Sequence, residues 1–125
     1  MYYLFNPNTS GIYRYIHPIK EPLIRALIQE LPDSNIFDLI FLFGSSLDIA
    51  CDQFSDIDLY ALTQPGLEAE GLKLLRNVCR KLRISADILC SNFSDFIEDA
   101  VDISSVESAV LERSLVLYDS KDNTA

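Results

Sequence analysis

The run Ile40-Phe41-Leu42-Phe43, closed by Gly44, is the tightest constraint in this sequence. A strand with one wet face alternates apolar and polar residues, whereas an unbroken apolar run marks a strand covered on both faces. Residues 36–43 therefore predict a central strand that needs a layer on each side. The covering helices are legible too. Ile19, Leu23, Leu27 and Leu31 recur every fourth residue, with Ile24 and Ile28 beside them, which predicts a helix from Pro18 to Leu31. Pro22 falls in its first turn, where a missing N–H costs little, and Pro32-Asp33 ends it. A second helix is expected from Leu67 to Leu82, with Leu67, Leu74, Leu75, Val78 and Leu82 inward. Lys73, Arg76, Arg80, Lys81 and Arg83 collect late in it, where cations suit the helix dipole, and read as a solvated helix end.

Residues 55–62 alternate as a strand, with Asp56, Asp58 and Tyr60 on one face and Ile57, Leu59 and Ala61 on the other. Between the first two strands, Ser45 to Cys51 predicts a short helix with Ser45 as its N-cap and Asp48 and Asp52 as exposed charges. A third strand is expected over 85–90, then a helix capped by Asn92 or Ser94, a short helix from Ser104 to Arg113, and a terminal strand from Leu115 to Tyr118. This order predicts an α/β (α+β) fold, a small mixed β-sheet with helices packed on it.

The chain has 125 residues, 49% of them hydrophobic, so one globular domain spanning 1–125 is expected rather than a disordered chain. Residues 1–16 form an aromatic extension (Tyr2, Tyr3, Phe5, Tyr13, Tyr15) suited to packing on the body or on a partner chain, and 120–125 a polar tail. The formal charge is −9, from 10 basic and 19 acidic residues. A protein that grips long nucleic acid uses a basic face, so that class of partner is disfavoured. A single nucleotide is still possible where divalent metal screens the acidic site. Cys51, Cys79 and Cys90 are odd in number and widely spaced, and His17 is the only histidine, which argues for free or buried thiols and against zinc. Neither a signal-peptide pattern nor a membrane-length apolar run occurs, so a cytoplasmic location is expected.

The chemistry lies in Gly44-Ser45-Ser46 and in Ser55-Asp56-Ile57-Asp58-Leu59. Asp56 and Asp58 are two apart on a strand, so both carboxylates point to one face. Their repulsion is relieved by a hard cation, and magnesium favours a few carboxylates, several waters and phosphate oxygens. Gly44 lets a phosphate approach the backbone, and the N–H groups of a helix start with the hydroxyls of Ser45 and Ser46 suit a triphosphate. Asp87 lies in a short apolar strand, where a lone carboxylate is costly unless paired or metal-bound. If that strand lies beside the Asp56/Asp58 strand, three carboxylates share a face and hold two metal ions, with Asp87 placed to take the proton of an acceptor hydroxyl. Nucleotidyl transfer asks little more of a protein than such positioning and charge neutralisation. Tyr60 would border the site but reads first as packing, and His17 as structural or exposed.

Gly44-Ser45, Asp56-Ile57-Asp58 twelve residues after the glycine, and Asp87 on a later strand resemble the DNA polymerase beta-type nucleotidyltransferase superfamily, in particular its minimal, antitoxin-like branch. The resemblance covers about 36–89, and residues 111–118 resemble the closing strand of such domains. It implies Asp56, Asp58 and Asp87 as catalytic metal ligands and Gly44 and Ser45 as nucleotide-binding residues. Ser46 and Ile49 stand where minimal members often carry arginine and glycine, which removes a cation from the phosphate side.

Three functions follow from this resemblance. One is a magnesium-dependent enzyme moving AMP from ATP to a hydroxyl on a protein or small molecule, with release of pyrophosphate. Another is an antitoxin that modifies or shelters a HEPN-type partner. The third is a domain that binds nucleotide without turnover. The short chain leaves little for an acceptor pocket, so a partner chain or a homodimer is expected to supply the other wall.

Overall fold

A computed structural model describes residues 16–17, 19–31, 35–47 and 51–120. The aromatic extension before Ile16, Pro18, Pro32-Asp33, Asp48, Ile49 and the tail after Ser120 lie outside the described residues. The elements run α1 (Glu21–Glu30), β1 (Phe37–Phe43), a 3-10 turn (Gly44–Leu47), β2 (Ile57–Thr63), α2 (Glu68–Leu82), β3 (Ala86–Asn92), α3 (Phe93–Ala100), α4 (Val106–Glu112) and β4 (Leu115–Asp119).

The four strands form one mixed sheet in the order β3-β2-β1-β4. β1 is antiparallel to β2 and to β4, while β2 and β3 are parallel and joined through α2. The apolar run behaves as a doubly covered strand should. Ile40 and Leu42 enter the larger core with Ile57, Leu59 and Ala61 of β2 and with Ile24, Leu27 and Leu75 of α1 and α2. Phe41 points the other way, into a second core with Tyr60, Leu62, Phe96 and Val110 under α3 and α4. Phe96 stacks on Phe41 at 5.9 Å and meets Tyr60 edge-on at 5.1 Å between ring centroids.

Several local expectations hold and several shift. As expected, Asn92 caps α3, accepting from the Asp95 N–H at 2.9 Å; α4 begins at a cap not singled out from the sequence, Ser105, which accepts from the Ser108 N–H at 3.0 Å. The helix expected from Ser45 is a 3-10 turn that begins at Gly44, so Ser45 is its second residue and not a cap. Asp52 is exposed as expected, but it organises a turn, accepting from the Phe54 N–H at 2.9 Å, and is not a helix charge. In α2 the fully buried positions are Gly71, Leu75 and Cys79, with Leu74, Val78 and Leu82 packed at the margin. Gly71 lets this helix pack close against the sheet. A β-carbon there would lie 2.7 Å from Thr63 Cγ2 and 3.0 Å from Phe37 Cε1. Cys51 and Cys79 are buried, Cys90 is half-buried, and all three are free thiols. Among the described residues, no helix is long and apolar enough to cross a membrane.

Candidate active site

The site forms where β1 ends and β2 and β3 begin. Phe43, the last residue of β1, is the register partner of Asp58. The chain then turns at Gly44, whose φ of 76° is natural only for glycine. The same glycine solves a contact problem: a β-carbon would run into the Asp58 carboxylate, with Asp58 Cγ only 3.1 Å away. The Ser45 backbone N–H bonds to the Asp58 carboxylate, and the Ser45 hydroxyl donates to the Asp56 carbonyl at 3.3 Å. The Gly44-Ser45 turn and the Asp-x-Asp strand, separated by the loop between them, are thus one unit.

Parallel pairing brings in the third carboxylate. Asp87 is the direct register partner of Asp58 across the β2–β3 seam, with Ile57 opposite Ala86 and Leu59 opposite Ile88. Adjacent strands lie about 4.8 Å apart, so the two side chains rise side by side from one face. Asp56 stands just before β2, and its Oδ1 accepts from the Ser85 hydroxyl at 2.5 Å. The sequence shows the symmetry behind this: Ser85-x-Asp87 lies alongside Asp56-x-Asp58. Ser85 was not singled out from the sequence, because only the register gives it a partner.

The electrostatics match the geometry. Asp58 is half-buried, and its carboxyl is raised above the ordinary 3.8 by burial first, then by Asp87 and by Asp56, against the opposing Ser45 N–H. Asp87 and Asp56 are exposed. The expected cost of burying Asp87 therefore does not arise: Ala86, Ile88 and Cys90 pack inward, while Asp87 and Leu89 face outward on an edge strand. Asp58 is the carboxylate that carries the burial penalty.

The donor set suits a hard cation, since it consists of carboxylate oxygens without histidine or thiolate. It is not a closed cage. Among the described residues, no group of three or more His, Cys, Asp or Glu side chains is arranged to hold a metal ion by itself. An open carboxylate platform is compatible with magnesium, which keeps waters and substrate oxygens in its shell.

Ser46 is corrected. It is 0% exposed, its hydroxyl has no hydrogen-bond partner among the described residues, and its carbonyl accepts from the His17 N–H at 2.8 Å. The tight turn that aims Ser45 at the strand sends the next side chain inward, so its hydroxyl does not face a phosphate. Arg113, not singled out from the sequence, holds the far end of the turn by donating from Nη2 to the Leu47 carbonyl at 2.9 Å. Tyr60 shares the Asp58 face but packs, as expected, and its hydroxyl donates to Glu107 Oε2 at 2.6 Å, tying α4 to the sheet.

No protein-family model matches the sequence, and no curated protein matches it. Solved structures match the fold. A chain of a toxin–antitoxin complex with AMP-PNP superposes with a TM-score of 0.51 at 19% identity, covering 83% of this chain and 76% of that one. A chain of a mutant MntA–HpeT toxin–antitoxin complex gives 0.51 at 17% identity, over 82% and 76%. The chain has the nucleotidyltransferase fold. A chain of the complex of a tri-AMPylated Shewanella oneidensis HEPN toxin with MNT antitoxin also matches, with a TM-score of 0.49 at 21% identity over 82% and 75%. In this nucleotidyltransferase fold, the carboxylates stand at the open end of the β2–β3 seam and the Gly44 turn beside them.

Proposed function

We propose that this protein is a magnesium-dependent nucleotidyltransferase that moves AMP from ATP to a hydroxyl acceptor and releases pyrophosphate. The observation that carries the reading is the register pairing of Asp58 with Asp87, on the face that meets the Gly44-Ser45 turn. Asp56, Asp58 and Asp87 would hold up to two magnesium ions, which neutralise the triphosphate charge and acidify the acceptor hydroxyl when bound. Gly44 keeps the turn close against the Asp58 carboxylate, and the Ser45 hydroxyl, bonded among the described residues at 3.3 Å to the Asp56 carbonyl, would turn toward a phosphate bound beside it. Asp87, the exposed carboxylate, takes the acceptor proton as the acceptor oxygen bonds to the α-phosphorus. The bond from that phosphorus to the bridging oxygen breaks, and its electron pair leaves with pyrophosphate.

A second reading has a specific support. Two structures that share the fold belong to toxin–antitoxin pairs, one with AMP-PNP bound. This favours an adenine nucleotide and a role as the antitoxin of a toxin, of the HEPN type that the sequence resemblance implies, in which the partner is both the acceptor and the missing wall of the site. A homodimer is the other candidate for that wall.

The test is transfer of label from ATP carrying a labelled α-phosphate, with magnesium, to proteins of a cell extract. One or a few labelled bands that vanish in Asp58→Asn support the enzyme. Nucleotide binding without label transfer supports a binding domain, and neither signal removes the nucleotide reading altogether.

A further inference from the structure

Seven of the nine large apolar side chains that stand exposed among the described residues fall between Leu89 and Leu111. They are not scattered. Phe93, Ile97 and Val101 repeat every fourth residue and so form one stripe along α3, with Phe93 57% and Val101 80% exposed. Ile103, just beyond, is 91% exposed. Phe96, on the inner side of the same helix, is what attaches it to Phe41 and Tyr60. Among the described residues nothing covers this second apolar face, and contiguous apolar surface of this kind marks an interaction site.

The charge around the stripe says what fits it. Residues 84–112 contain no lysine, arginine or histidine and seven carboxylates. Asp95, Glu98 and Asp99 take the side of α3 away from the stripe, and Asp102 follows it. At its Phe93 end, the stripe opens on a depression of about 430 Å³ whose wall includes Asp38 and Asp119. At its other flank, Leu89 lies two residues beyond Asp87 on the same outward face of β3 and opposite Tyr60 in register. Two copies of this chain joined through the stripe would set these acidic rims against each other, and nucleic acid would meet the same repulsion.

We propose that the α3 stripe is the docking surface for a protein partner that offers an apolar helix face bordered by lysine or arginine. Docking there brings the partner alongside Asp87, which deepens the reading of the site as one completed by another protein. The docking itself needs neither nucleotide nor turnover, so its failure and the failure of nucleotidyl transfer are separate results.

The test uses two synthetic amphipathic helical peptides with the same leucine face, one flanked by lysines and one by glutamates, titrated by fluorescence anisotropy without nucleotide. The lysine peptide is expected to bind about tenfold tighter than the glutamate peptide, and more weakly as salt rises. Ile97→Ser with Val101→Ser, both at exposed positions and checked for folding by circular dichroism, is expected to lose about tenfold in affinity. Equal affinity for both peptides, or full affinity in the double variant, overturns the proposal. So does a dimer of the unmodified chain in sedimentation that the double variant abolishes, because that result gives the stripe to a second copy.

Discussion

The carboxylate of Asp58 occupies the space where a side chain on Gly44 would stand. The glycine therefore meets two demands at once, a φ of 76° and a close approach. Gly44→Ala faces backbone strain and overlap together and is expected to cost about 1–3 kcal/mol. Urea denaturation measures the cost. Because the overlap falls on Asp58, nucleotide affinity is expected to fall further than stability does, and a variant of unchanged affinity would detach the turn from the site.

Asp58 gives a pH signature. Its carboxyl is raised in the fold by burial and by Asp87 and Asp56, so folding favours the protonated form. The Asp58 contribution to stability is fully present below the unfolded value and is lost as pH rises through the raised folded one. Asp58→Asn removes the neutral-pH penalty, so the variant is expected to melt higher than the parent at pH 7. That gain shrinks toward zero as pH falls to the ordinary carboxyl value of 3.8. Melting curves at several pH values check the trend. Added magnesium is expected to raise the melting temperature of the parent more than that of the variant.

The bond of 2.6 Å from the Tyr60 hydroxyl to Glu107 pins α4 over the sheet. Tyr60→Phe keeps the ring packing against Phe96 and leaves the half-buried Glu107 carboxylate without this donor, at a cost of about 1–2 kcal/mol. Burial, followed by the hydrogen bond to Glu107, raises the Tyr60 hydroxyl well above its ordinary value of 10.0. Its stabilising contribution is therefore kept below that value and lost only in stronger alkali. An ultraviolet pH titration is expected to show one tyrosine ionising late, and Tyr60→Phe to remove that step.

Gly71 reverses the usual rule for helices. Alanine is favoured over glycine inside a helix by about 1 kcal/mol. Here a β-carbon meets Thr63 Cγ2 at 2.7 Å and Phe37 Cε1 at 3.0 Å, and overpacking costs about 1–3 kcal/mol. Gly71→Ala is expected to be destabilising, and Thr63→Ser, which removes the nearest methyl, to recover part of the loss in the double variant. Chemical denaturation of the four proteins in the cycle measures the coupling.

What the sequence made legible follows from local geometry. The apolar run from Ile40 to Phe43 announced a doubly covered strand, and alternation placed Asp56, Asp58 and Tyr60 on one face of β2. The cap of α3 was readable from Asn92, whereas the Ser105 cap of α4 was not singled out. Long-range pairing was not legible. That Asp87 stands opposite Asp58, and Ser85 beside Asp56, depends on the parallel register set by the α2 crossover, which no local pattern encodes. The apolar neighbours of Asp87 suggested burial on both sides, but β3 is an edge strand and Leu89 points to solvent. Gly71 was overlooked because a glycine within a helix reads as weakness until the sheet beneath it is known.

The central claim is that Asp56, Asp58 and Asp87 act together as a seat for divalent metal and nucleotide. Its most direct measurement is a manganese titration followed by electron paramagnetic resonance, with and without AMP-PNP, since protein-bound manganese loses its free-ion signal. The account predicts that AMP-PNP increases manganese bound to the parent protein beyond what the nucleotide alone holds, and that Asp58→Asn abolishes the increase while remaining folded. Equal manganese uptake by parent and variant in the presence of AMP-PNP would contradict it.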